Sequence, residues 1–121
     1  MLKLNCDVLV GDLSSCIVIV ARDKKGKLVS TIFKKAKTNI PFRVETNAIQ
    51  LAVHIAAPNF FICRCVIESN CKVCIDAIKV GGNLVPWRLW NFVYSVKNVI
   101  SDSDHIFFNW VHRGLIRVLM C

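Results

Sequence analysis

The 121-residue sequence predicts one α/β domain with the element order βββαβα(α)β. Three observations carry that prediction. Apolar and polar residues alternate through the first third of the chain, the spacing becomes helical after Pro41, and two later strand-like runs each follow a helix-like one. A chain of this length forms a single domain, here 1–121, and can bury a core. Its 55% hydrophobic positions, with only 5 Gly and 3 Pro, exclude disordered, collagen-like and low-complexity classes.

Leu2, Leu4, Cys6 and Val8 alternate with Lys3, Asn5 and Asp7, which predicts a strand with one face buried and Asp7 on the other. Gly11-Asp12 turns the chain. Cys16 to Arg22 is rich in β-branched residues, Asp23-Lys24-Lys25-Gly26 signals a hairpin and Lys27 to Phe33 resumes strand character, so three antiparallel strands come first. Thr38-Asn39-Ile40-Pro41 then offers a cap and an early-turn proline. Val44, Ala48, Leu51, Ala52 and Ile55 recur at helical spacing until Pro58, with Glu45 bordering their stripe.

Phe60 to Ile67 predicts a fourth strand. Ser69 is the expected N-cap of a short helix through Ile78, with Val73, Ala77 and Ile78 inward and Gly81-Gly82-Asn83 closing it. Pro86 to Ile100 predicts a third helix with Leu89, Val93, Val96 and Ile100 on one stripe. His105 to Val111 predicts a fifth strand, apolar on both faces as in a covered sheet. Arg113 to Cys121 begins like a helix and runs out.

The unbroken apolar runs, such as Cys16 to Ala21, stop far short of the about 18 residues a spanning helix needs. Asn5 and Asp7 stand where a signal peptide keeps its apolar centre, so the chain is expected in the nucleus or cytoplasm, neither secreted nor membrane-bound. Seven cysteines scattered through apolar patterns fit reduced thiols acting as small hydrophobes. Cys63-x-Cys65 with Cys71-x-x-Cys74 has the residue count of a zinc site, but one pair sits in a strand-like and the other in a helix-like run. Core packing is the favoured reading.

The net charge of +8 is concentrated. From Arg22 to Arg43 the chain carries Arg22, Lys24, Lys25, Lys27, Lys34, Lys35, Lys37 and Arg43 against Asp23 alone, a local +7. Such a patch can collect phosphates, or it can keep a hydrophobic chain soluble and guard a sheet edge. Trp87, Trp90 and Tyr94, with Arg88 between, could stack on bases, though packing in or near the core is the favoured expectation. His54 and His105 read as structural, and a structural place is also the favoured reading of His112.

Five segments in order carry a resemblance: Leu4-Asn5-Cys6-Asp7, Ala21-Arg22-Asp23-Lys24-Lys25-Gly26, Val44-Glu45 through Ala48, Val66-Ile67-Glu68-Ser69-Asn70-Cys71-Lys72-Val73, and Trp110-Val111-His112-Arg113. Together they span nearly the whole chain. The sequence resembles the type 1 ribonuclease H fold, and in detail the plant ribonuclease H-like domain of non-LTR retroelements, associated with reverse transcriptases. The resemblance implies a five-stranded mixed sheet, three antiparallel strands then parallel additions, with helices on both faces and here a truncated or divergent last helix. It also implies an endonuclease that hydrolyses the RNA strand of an RNA–DNA hybrid, using two Mg²⁺ ions (Mn²⁺ possible) held by four acidic residues.

Asp7 matches the first of those acids and Glu45 the second, so both are the expected metal ligands. Asn70 replaces the third; its amide oxygen can touch a metal but brings no charge. The fourth falls at Met120, with Ile116 where the family has Asn, so the two-ion site is expected to be weakened. Glu68 and Asp76 are poor substitutes, Asp76 being expected on the surface. The expected partner is an RNA–DNA hybrid, bound through Arg22, Lys24, Lys25, Lys34, Lys35, Lys37 and Arg43. No small-molecule substrate is expected, and the chain is expected to be a monomer. Three readings stay open: an active ribonuclease, a nucleic-acid-binding domain with impaired catalysis, and a retroelement remnant with no selected activity.

Overall fold

The computed structural model describes residues 1–59, 62–81, 84–100 and 105–112. Within them lie strands β1 (Leu2–Val10), β2 (Ser15–Asp23) and β3 (Leu28–Ala36), helix α1 (Pro41–Ala56), strand β4 (Cys65–Ser69), helices α2 (Lys72–Val80) and α3 (Trp90–Ile100), and strand β5 (Ile106–Trp110). Single 3₁₀ turns precede α3 at Trp87–Leu89 and follow α1 at Ala57–Asn59. The strands form one mixed sheet in the order β3-β2-β1-β4-β5. β1 pairs antiparallel to β2, and β2 to β3, while β4 joins β1 in parallel and β5 joins β4 in parallel. This is the sheet the sequence predicts, with β1 at its centre.

The hairpin between β2 and β3 is closed by the Asp23 carboxylate, which accepts the N–H groups of Lys25 and Lys27, both at 2.9 Å. Gly26 there takes φ +81°, a conformation that side chains with a Cβ rarely adopt. α1 starts as expected with Pro41 in its first turn. Thr38 acts one step earlier than a cap, its Oγ1 accepting the Ile40 N–H at 3.1 Å.

Leu4, Cys6 and Val8 of β1, Ile17 and Ile19 of β2, and Cys65 and Ile67 of β4 form one core with Val44, Ala48, Ile49 and Ala52 of α1 and the inner residues of α2 and α3. The three described helices all contribute to this one cluster. On the opposite face Asn5, Asp7, Val18, Val20 and Val66 are also buried, so β1 is enclosed on both sides. The segment expected to hold the last helix, 113–121, lies outside the described residues.

Three elements differ from expectation. β4 was expected over 60–67 but runs Cys65–Ser69, because the N–H groups of Ile62 and Cys63 both bond back to the Asn59 carbonyl at 3.0 Å and hold a turn before it. Consequently Ser69 ends the strand and Cys71, not Ser69, is the N-cap of α2. Ser69 Oγ still accepts the Cys71 N–H, at 3.1 Å. Within α2, Cys74 and Ile75 take inward positions with Ala77 and Ile78, while Val73 is exposed.

The third difference is the aromatic stripe. Trp87, Trp90 and Tyr94 are 79%, 58% and 70% exposed, against the expected core packing. Leu89, Phe92, Val93 and Val96 fill the inward face instead, and one helix face is all the sheet side can accommodate.

Candidate functional site

Asp7 and Glu45 come from different elements, and the charges of both reach Cys6. Asp7 sits near the end of the central strand and is 4% exposed. Its Oδ1 accepts the Val8 N–H at 2.9 Å. Glu45 lies in the first turns of α1, half-buried, on the helix that packs over β1. The Cys6 thiol lies close to both: burial first, then the charges of Glu45 and Asp7, push its pKa up, so it remains protonated. The two carboxylates the sequence singles out are thus brought to one end of the sheet.

Asn70 arrives at the same end. The parallel register pairs Cys6 with Ser69, so one step further along each strand stand Asp7 and Asn70. The Asn70 side-chain oxygen is buried and has no hydrogen-bond partner, while its backbone carbonyl accepts Trp110 Nε1–H at 3.1 Å. An amide oxygen of this kind is a hard but neutral donor atom.

Glu68 faces the same side as Asp7, two residues earlier in the register, but it is occupied: Asn5 Nδ2 donates to Glu68 Oε1 at 2.8 Å in a buried pair. Asp76 is exposed and pairs with Lys72 at 3.6 Å across one helical turn, the surface role expected for it. Among the described residues no three His, Cys, Asp or Glu side chains assemble as a metal cluster. The chain's own donors here are two carboxylates and one neutral amide oxygen, a charge of −2 against the +4 of two divalent ions. They do not fit a two-ion centre.

The four-cysteine zinc reading also fails among the described residues. Cys65 and Cys74 are buried in the core, and Cys71 and Cys74 meet only each other, Sγ to Sγ at 3.2 Å. The Cys74 thiol lowers the Cys71 pKa to about 6 by hydrogen-bonding to its sulfur, and Cys74 is correspondingly pushed up.

The basic residues are not one patch. Arg22, Lys24, Lys25 and Lys27 occupy the β2–β3 hairpin, beside the start of β1, since Leu2 pairs with Asp23. Lys34 and Lys35 lie at the other end of β3, seven or more residues further and so about 23 Å away along an extended strand. That second group is the one on the site's end of the sheet. Asp7 pairs with Val18 and Val18 with Phe33, which places Lys34 next to the same row, two strands or about 10 Å across from Asp7.

Lys34, Lys35 and Lys37 line a cleft of about 550 Å³ together with Asn47, Gln50 and His54 from the outward face of α1. Asn47 and Gln50 were not singled out from the sequence and His54 was read as structural, although the spacing of the three along α1 is a polar stripe at helical period. His54 is exposed and its Nδ1 contacts the Gln50 carbonyl at 2.7 Å. Arg43 is exposed in the first turn of α1, two residues from Glu45. His105 and His112 are exposed at either end of β5. Among the described residues no helix is long and apolar enough to cross a membrane.

No family model matches the sequence, and no curated protein matches it. Solved structures do. The chain superposes on RNase H1 from the halophilic archaeon Halobacterium salinarum with a TM-score of 0.77 at 13% identity, covering 96% of this chain and 89% of that one. LC11-RNase H1, solved in complex with an RNA/DNA hybrid, gives 0.77 at 12% identity, covering 95% and 88%. The foamy viral protease-reverse transcriptase with RNA/DNA hybrid gives 0.68 at 12% identity, covering 92% of this chain but 17% of that one. The fold is therefore ribonuclease H-like.

Proposed function

We propose that this chain is a single ribonuclease H-like domain, 1–121, that binds RNA–DNA hybrid nucleic acid and in which metal-dependent hydrolysis of the RNA strand is impaired. The observation that supports the reading is the placement of Asp7 and Asn70 at neighbouring positions of the β1–β4 register, with Glu45 on the helix over β1 and the Lys34–Lys35–Lys37 cleft towards the same end of the sheet. Solved structures of this fold contain RNA/DNA hybrid, and the motif order in the sequence favours the plant non-LTR retroelement branch.

In this reading Lys34, Lys35, Lys37 and Arg43 hold backbone phosphates, which positions the duplex without reading its sequence. Arg22, Lys24 and Lys25 lie at the far end of the sheet and contribute steering rather than contact. Asp7 and Glu45 are the residues that would hold Mg²⁺ or Mn²⁺, and the ion would polarise a phosphate oxygen. With Asn70 at the third position and Met120 at the fourth, two negative charges are missing from the donor set.

A labelled RNA–DNA hybrid incubated with Mg²⁺ or Mn²⁺ tests the impairment. The protein as it stands is expected to leave the RNA strand intact, and a variant carrying Asn70→Asp with Met120→Asp to cleave it. Cleavage by the unsubstituted protein that Asp7→Asn abolishes would contradict the proposal.

A further inference from the structure

We propose that Cys71 and Cys74 form a thiol–disulfide exchange site, in which Cys71 reacts with a low-molecular-weight disulfide of the glutathione class and Cys74 resolves the product. This rests on the thiol pair alone and stands apart from the nucleic-acid reading.

The geometry is that of a paired, asymmetric dithiol. Cys71 caps α2 and Cys74 lies in its first turn, and their sulfurs are 3.2 Å apart. Cys71 is half-buried and open to a reagent, whereas Cys74 is wholly buried and is reached through Cys71. Ser69 Oγ holds the Cys71 N–H and so fixes the backbone on which the outer sulfur is carried. The pair sits where parallel strand β4 passes into a crossover helix leading to β5. A cysteine at such a helix start has the local positive field that favours its thiolate. A disulfide needs the sulfurs to close to about 2.05 Å, a movement of about 1 Å that side-chain rotation in the first turn supplies.

The exchange balances in two displacements. The Cys71 thiolate attacks one sulfur of RS–SR, forming the Cys71–S–S–R bond and releasing RS⁻. Cys74 then gives its proton to solvent, its sulfur attacks that of Cys71, and the second RS⁻ leaves. Two protein thiols are oxidised and one RS–SR is reduced to two RSH. Cys6 and Cys16 lack such a partner, Cys6 being buried with its thiol directed at the Ala48 carbonyl and Cys16 directed at its neighbour's carbonyl. Cys63 and Cys65 also neighbour each other, but the Cys65 thiol donates to the Cys63 carbonyl at 3.8 Å and neither caps a helix.

The test equilibrates the whole chain in glutathione and glutathione disulfide at graded ratios, quenches with an alkylating reagent and maps the modified peptides by mass. The expected result is loss of two hydrogens from the peptide spanning Cys71 and Cys74 at ratios that leave Cys16 reduced. A Cys71–glutathione adduct should rise first and then decay. In Cys74→Ala that adduct should persist, and in Cys71→Ala Cys74 should stay unmodified. Should Cys74→Ala not fold, the time course in the unsubstituted chain decides. A Cys71 adduct that never resolves, a Cys63–Cys65 disulfide forming instead, or oxidation no easier than at Cys16 would overturn the proposal.

Discussion

Asn5 and Glu68 face each other across the β1–β4 pair at 2.8 Å, both buried. The pair sits two residues from Asp7 along β1 and uses the carboxylate that could otherwise have compensated for Asn70. Removing the carboxylate strands the Asn5 amide donor. Glu68→Ala is therefore expected to lower unfolding stability by about 1–3 kcal/mol in urea denaturation, and Glu68→Gln, which keeps an acceptor oxygen, by clearly less. A Glu68→Ala protein as stable as the parent would show that the pair contributes nothing. Residue positions were legible where period-two alternation or a motif fixed them, as for Asp7 and Glu45. The pairing of Glu68 was not, because it depends on which strand lies beside β1, and that neighbour is 63 residues away in sequence.

Elements divide the positive charge. In sequence the basic residues from Arg22 to Arg43 read as one patch, but β3 is straight and extended and carries its two ends apart, leaving only Lys34, Lys35, Lys37 and Arg43 near Asp7. Reversing charge at both Lys34 and Lys35 should therefore weaken hybrid binding at least about tenfold, since two phosphate contacts are lost. The same change at Lys24 and Lys25 should have a smaller effect, measured by the same titration. Equal losses would mean that the two ends act together. In the 3₁₀ turn before α3, Trp87 is exposed, with Leu89 turned inward beside it. Trp87→Ser should shift stability by no more than about 0.5 kcal/mol. The sequence shows two apolar stripes on that helix and does not say which one faces the sheet, because Leu, Val, Trp and Tyr satisfy the same period. The extra length of β3 and the late start of β4 were likewise hidden, since backbone turns such as the one at Asn59 leave little trace in residue type.

At the scale of the whole molecule, the order of strands and helices was legible because each change of hydrophobic period marks an element, and the order of elements largely selects the layer architecture. The match to RNase H1 structures across nearly the full chain at 13% identity or less shows the same fold carried by a largely different sequence. In the proposed site Asp7 and Glu45 carry charge while Asn70 and Met120 bring none. Binding that depends on phosphate contacts and not on metal follows from that balance. The most direct test is an anisotropy titration of labelled RNA–DNA hybrid at low and at fourfold higher salt, each with and without Mg²⁺. With about four phosphate contacts, affinity should fall on the order of 100-fold between about 50 and 200 mM salt and be unchanged by Mg²⁺. No association at the lower salt, or association only when Mg²⁺ is added, would contradict it.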